Sequence, residues 1–374
     1  MSLSNLGKNR GFTLMEMVVA MALGVIVLGS AVSLFSKAVQ LSYLVTQRAE
    51  MQQNGRAALD MMAKDISLAG AGIPSGGVQL PDGAGASASK FACDPTKCYV
   101  TNNQFPLSNN FFGVIPNPGV GLPVKTTNGT LGPNTDVFTV AYTDSTFPLN
   151  QYVVTLNSAG TVASFTLPSP PPNPLPPVWP PTPVNDPAQG LKTGDLVLLT
   201  NNVGSAIGEV TNVAAAGPAV NVTFGNLDTL NINQSTAASG NVLAMVPGSG
   251  TQANRILLIT YYIDIPPGPD GIRYTADDGP PRLMRQVNGQ PPNPVAENVS
   301  GLQISYDIFN DVSGVATANL KDAGMSLGDS PNQVRKVNVI LSCRSPLQVG
   351  KGFQTQDLAT AVSARDMSFK SRYN

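Results

Sequence analysis

A single carboxylate, Glu16, stands at the edge of an uncharged stretch from Met17 to Ser36, just after the basic segment Lys8-Asn9-Arg10 and Gly11. About 20 apolar residues in a helix are enough to cross a bilayer core. Glu16 is thus placed where an ionised side chain is costly unless it is paired, and such a residue is a functional candidate by position alone. A second constellation is Cys93 and Cys98, set in the polar segment Phe91-Ala-Cys-Asp-Pro-Thr-Lys-Cys-Tyr99. Their spacing suits a small disulfide-closed turn in an oxidising compartment. Zinc is a poor alternative, because the chain has no histidine and only Cys343 could be added to the pair. A third is the run from Asp264 to Gly279, where Asp270, Asp277 and Asp278 alternate with Gly and Pro. Calcium takes several oxygen ligands, so these carboxylates are candidate Ca2+ ligands that would stiffen the loop. Asp and Gly also populate ordinary hairpin loops, and that reading stands beside the first. No cofactor is otherwise required.

Catalysis has no support. Without histidine the usual nucleophile triads are out of reach, no G-x-S-x-G elbow is present, and no glycine-rich phosphate loop follows a strand. The adjacent carboxylates Asp277 and Asp278 could act as acid and base only if rigidly held, which a Gly-Pro loop does not favour. The chain reads as a structural protein and not an enzyme.

The elements that carry these residues follow from patterning. Beyond the apolar stretch, Leu44, Met51, Ala58, Leu59, Met62 and Ile66 recur at spacings of three, four and seven, with polar residues between them. This predicts that the helix continues as an amphipathic one until the glycines and proline of Ala69-Gly-Ala-Gly-Ile-Pro74. From residue 12 to residue 68 it would run about 85 Å. Lys8 and Arg10 precede the span, so the first ten residues belong in the cytoplasm and everything after Lys37 outside. The remainder predicts short strands near 136–142, 152–156, 161–167, 195–200, 207–213, 220–224, 242–246, 256–263, 283–287, 302–309 and 334–342.

Two readings of the N-terminus stay open on patterning alone. A secretory signal would be cut near Ser36-Lys37-Ala38 and give a mature chain starting near Val39, and a plain single-pass anchor would not be cut. Against the former stand Glu16 inside the apolar run and its length.

The segment Gly11-Phe12-Thr13-Leu14-Met15-Glu16, with its basic leader and long apolar helix, resembles the class III signal of type IV prepilins. The resemblance implies cleavage by a prepilin peptidase between Gly11 and Phe12, with methylation of the new Phe12 amine. Glycine at the cut fits, since a residue without a Cβ lets extended backbone enter a narrow cleft. It also implies that Glu16 pairs with the terminal amine of a neighbouring subunit, offsetting its burial. The helix end and the stretches 256–263, 282–285, 295–306 and 334–341 are similar to PilW-type minor pilins and to the J-type minor pseudopilins of type II secretion. Many major pilins carry proline where Ser33 stands here, which favours a minor subunit, placed near the filament tip to help initiate assembly.

The expected fold is thus α+β and pilin-like: a long N-terminal transmembrane and amphipathic helix packed on a β-rich antiparallel head with large loop insertions. Its divisions are a leader (1–11), a transmembrane half-helix (12–36), a periplasmic half (37–74), a variable insert (75–250), a C-terminal sheet (251–345) and a tail (346–374). Within the insert, ten prolines from Pro168 to Pro183 predict a stiff polyproline surface loop at 168–187; as a proline-rich ligand for a partner's aromatic groove, it would have Trp179 as its exposed anchor. The implied partners are the peptidase, other pilin or pseudopilin subunits, the inner membrane and, for an adhesive insert, a surface or host ligand. Only 12% of residues are charged and the formal net charge is −1, which excludes an electrostatic nucleic-acid binder. Pilus, pseudopilus and tip adhesin remain the three destinations.

Overall fold

The computed structural model describes residues 12–81, 89–93, 98–101, 110–126, 129–237, 239–246, 248–310, 313–320, 331–348 and 352–368. Two units are distinguished, Met1–Glu50 and Met51–Asn374, and helix α1 (Leu14–Ser67) runs from the first into the second. In the first unit every side chain from Phe12 to Tyr43 is exposed. This part of α1 is long and apolar enough to cross a membrane, with a mean hydropathy of 2.5 over its most apolar 18 residues.

In the second unit α1 presents Met51, Ala58, Leu59, Met62 and Ile66 to a buried cluster, the stripe expected of an amphipathic helix. Gly55 lies on the same side, where a side chain would meet Leu358 and Cys343. The helix stops where Gly70 takes a φ of +85°, a left-handed value that glycine reaches without cost. Its N–H then bonds the Ala141 carbonyl at 2.9 Å, and the Thr143 N–H bonds the Ala71 carbonyl at 2.8 Å. The helix end is thereby stitched to a strand.

That strand, Val137–Thr143, belongs to a seven-stranded antiparallel sheet built on the long central strand Gln252–Asp264. Ser205–Glu209, Leu196–Thr200, Arg282–Val287, Asn293–Glu297 and Val114–Asn117 complete it. The side-chain period of two is plain in the central strand. Ile259, Tyr261 and Ile263 join the helix cluster, whereas Ile256, Leu258 and Tyr262 join a second core with Leu196, Ile207, Leu230 and Ile232.

A four-stranded antiparallel sheet follows in the order Val315–Leu320, Val299–Asn310, Val334–Arg344, Thr355–Ser363. Its cross-strand pairs Leu302 with Leu341, Ile304 with Val339 and Tyr306 with Val337 point into the helix cluster. A second four-stranded sheet, Asn212–Ala216, Ala219–Thr223, Val162–Thr166 and Val153–Leu156, shares a third core with the central sheet, in which Phe165, Val222 and Phe224 join Val197, Leu199 and Ala253. The arrangement is α+β, a long apolar helix followed by a β-rich antiparallel domain, consistent with a pilin-like fold.

Several expectations are corrected. Within the span 75–250, Val137–Thr143 and Leu196–Thr200 pair directly with Gln252–Asp264, so these parts of it are built into the central sheet. The expected tail contributes the edge strand Thr355–Ser363, which pairs along Val334–Arg344. The run 242–246 is a 3-10 turn, Val242–Met245, because the Asn241 side chain accepts the Ala244 N–H at 3.0 Å and starts a helical turn. The run 207–213 splits into two strands of different sheets. The proline-rich segment is a series of bends rather than one continuous extended helix; Trp179 is half-buried, not exposed. The far end of that segment is tied down by the Tyr152 hydroxyl, which donates to the Thr182 carbonyl at 3.0 Å.

Candidate functional site

At the start of α1, Thr13 and Glu16 cap each other. The Thr13 N–H donates to Glu16 Oε2 at 2.9 Å, the Thr13 hydroxyl donates to the same oxygen at 3.0 Å, and the Glu16 N–H donates to Thr13 Oγ1 at 3.3 Å. This is a capping box, which satisfies orphan donors at a helix start reciprocally, and an acidic group there also complements the helix dipole. All three bonds leave Oε1 without a partner among the described residues, so the carboxylate can still accept a bond from an approaching amine. Glu16 and Phe12 are both exposed. Gly11 lies outside the described residues. Thr13 was not singled out in the sequence, although Thr followed three residues later by Glu is a readable capping signature.

A second, buried constellation fastens the distal part of α1 to the central sheet. Asp65 Oδ2 accepts from the Tyr261 hydroxyl at 2.6 Å and from Arg285 Nε at 2.9 Å. Oδ1 accepts from the Tyr142 hydroxyl at 3.1 Å and from Arg285 Nη2 at 3.3 Å. Burial, reinforced by the Asp65 charge, raises the pKa of both tyrosines well above its ordinary value. Burial alone would lower that of Arg285, but its bonds to Asp65 outweigh it and the guanidinium is held charged. Asp65 reads as one more polar helix residue, yet it stands seven positions after Ala58 and three after Met62, on the apolar stripe. That placement is the signal of a buried acid.

The hairpin Lys90–Cys93 and Cys98–Thr101 sets Cys93 directly opposite Cys98. Cys343 is buried, and burial pushes its thiol up to about 11, as suits a small core residue.

In the 264–279 loop the three aspartates turn inward on the loop itself. Asp270 Oδ1 accepts the Ile272 N–H at 2.8 Å, Asp277 Oδ1 accepts the Thr275 hydroxyl at 2.7 Å, and Asp278 Oδ2 accepts the N–H groups of Tyr274 and Thr275. Among the described residues no group of three His, Cys, Asp or Glu side chains is placed to hold a metal ion. The turn reading of Asp270, Asp277 and Asp278 accounts for these bonds.

Residues 6–32 fit the prokaryotic N-terminal methylation motif. No curated protein and no solved structure matches the chain. The matched segment takes in Gly11, Phe12, Thr13 and Glu16 together with the first turns of the apolar helix, and supports a type IV pilin-like N-terminal region.

Proposed function

We propose that this chain is a minor pilin, cut by a prepilin peptidase between Gly11 and Phe12, methylated on the Phe12 amine and incorporated near the tip of a type IV pilus. The observation that carries this reading is the methylation motif at residues 6–32 lying over an apolar helix whose one acidic residue in the first turn is Glu16. In the membrane the helix keeps the first ten residues in the cytoplasm and the β-rich head outside. On assembly the apolar face of residues 12–36 joins the helices of neighbours. Glu16, preset by Thr13, offers Oε1 to the Phe12 amine of an adjacent subunit. An ion pair formed inside an apolar filament core is strong only with good geometry and satisfied lone pairs. The capping box supplies part of that satisfaction before the partner arrives.

Mass spectrometry of the N-terminal peptide from membrane and sheared-filament fractions tests the reading. A mature chain beginning at N-methylated Phe12 is expected. A chain beginning near Val39, or an uncut Met1, overturns it. Subunits that co-purify in the sheared fraction then separate a pilus from a secretion pseudopilus.

A further inference from the structure

Glu209 ends the edge strand Ser205–Glu209 of the central sheet and is only 2% exposed. Its Oε2 accepts the Leu230 N–H at 2.8 Å and its Oε1 the Thr229 N–H at 3.2 Å. Asp228, in the same loop, accepts the Ile232 N–H at 2.6 Å and the Asn233 N–H at 3.2 Å. The Asn233 side chain closes the ring: Oδ1 accepts the Glu209 N–H at 2.9 Å, while Nδ2 donates to the carbonyls of Glu209 and Gly225. Glu209 is thus a buried carboxyl in one ring of bonds with a second acid and with no cation paired to it among the described residues, a setting that disfavours its charged form.

The loop so held is under strain. Leu227 has a φ of +76° and is 99% exposed. A bulky residue in the left-handed region costs of order 1–3 kcal/mol and persists only where surrounding structure imposes it. The surrounding structure here is the carboxyl network on one side and the buried side chains of Leu230 and Ile232 on the other.

We propose that Glu209 and Asp228 form a proton-dependent clasp that fastens the 225–235 loop to the edge of the central sheet and slackens as the Glu209 proton leaves. The clasp is independent of the pilin reading, since it rests on residues remote from the helix. The charged groups on the elements packed around it do not replace the proton. Lys192 and Asp195 lie on the turn whose Asp195 carbonyl accepts the Val210 N–H, and Lys90 lies on the strand bonded to the Leu230 carbonyl. The segment against Glu209 Oε1 is Gly289, without charge. Neither Glu209 nor Asp228 forms an ion pair with a cation among the described residues. Burial, the largest cause, pushes the Glu209 carboxyl up to about 8, and raises Asp228 as well. In an opened loop Glu209 returns to the ordinary carboxylate range near 4.5. Opening between these two values releases a proton, so the clasp is firmest in mild acid, weakens as pH rises toward 8 and changes little above it.

Hydrogen exchange of the full-length protein in detergent, corrected for intrinsic rates, tests this from pH 5 to 9. Protection at Thr229 and Leu230 is expected to fall by up to about tenfold per pH unit below 8 and then level off, one proton being linked to opening. The Val334–Arg344 strand serves as the internal control and should not follow. Glu209→Gln, which has no carboxyl proton to lose, should flatten the profile. Protection at Thr229 and Leu230 that tracks the control strand overturns the proposal, as does a Glu209→Gln protein that keeps the wild-type slope. The wild-type profile decides alone if the variant does not fold.

Discussion

Arg285 on the central sheet grips Asp65 on helix α1 through both carboxylate oxygens, Nε to Oδ2 at 2.9 Å and Nη2 to Oδ1 at 3.3 Å. Two tyrosine hydroxyls fill the remaining positions on that carboxylate. A charge buried in this way fixes where along the sheet the helix can rest. Removing one partner leaves the other uncompensated, a loss of about 3–5 kcal/mol for buried pairs.

Asp65→Ala should therefore lower the unfolding free energy of the head by about that amount, and Arg285→Met should do comparable damage. Urea titration followed by tyrosine fluorescence measures both. A loss below about 1 kcal/mol in each would show that the pair is not a fastening.

At Gly55 on α1 a Cβ would meet Leu358 of the Thr355–Ser363 strand and Cys343. In Gly55→Ala the mobile end of Leu358 can turn aside, and the helix gains about 1 kcal/mol in propensity, so stability should change little. Gly55→Val adds branched bulk in the same space and should cost about 1–3 kcal/mol. Thermal melts of the two variants, run side by side, give the comparison.

Directly opposed residues on antiparallel strands have Cα atoms about 4.5–5.5 Å apart, inside the range a disulfide spans. Cys93 and Cys98 are thus proposed to be bridged. Alkylation of the denatured, unreduced protein should label Cys343 alone. The closed loop is short, so reduction should cost only about 2 kcal/mol.

Because the aspartates of the 264–279 loop are committed to the loop's own donors, added calcium and added chelator should give the same melting temperature. A rise with calcium that is abolished by Asp278→Asn would favour the metal reading.

Glu16→Ala should leave cleavage and methylation largely intact while reducing the amount of the chain found in sheared filaments. Thr13→Val removes the hydroxyl of the capping box but not the carboxylate, and should weaken incorporation less. Normal incorporation of Glu16→Ala would remove the pairing mechanism. Quantitative immunoblots of membrane and filament fractions report both.

What could be read in advance was what is locally encoded. The charge-free run, Glu16 and the apolar stripe from Met51 to Ile66 predict a helix ending near residue 68, and α1 ends at Ser67. The long strands came through because Ile256-Leu-Leu-Ile-Thr-Tyr-Tyr-Ile263 and 334–342 are dense in β-formers. Thr355–Ser363 was missed because alanine and threonine dilute its alternation and it is an edge strand, only half-buried on one side. The run 242–246 misled because its type depends on the cap at Asn241 and not on its apolar residues. Asp65 stood on the apolar stripe, but its partner Arg285, 220 residues away, could not be read from spacing, nor could the folding of the 228–233 loop onto Glu209. At the N-terminus the residues and their spacing were legible, whereas the mutual capping of Thr13 and Glu16 needed geometry.

The separation of 220 residues between Asp65 and Arg285 carries a consequence for biogenesis. Ribosomal synthesis delivers the apolar stripe of α1 long before the strands that cover it. In the orientation proposed above, with the anchor already in the bilayer, Met51, Met62 and Ile66 would face water or a holdase until the Val299–Asn310 and Val334–Arg344 strands had crossed the membrane. Head formation is thus tied to completed translocation, and a nascent chain stalled before residue 334 should be a preferred target of envelope proteases.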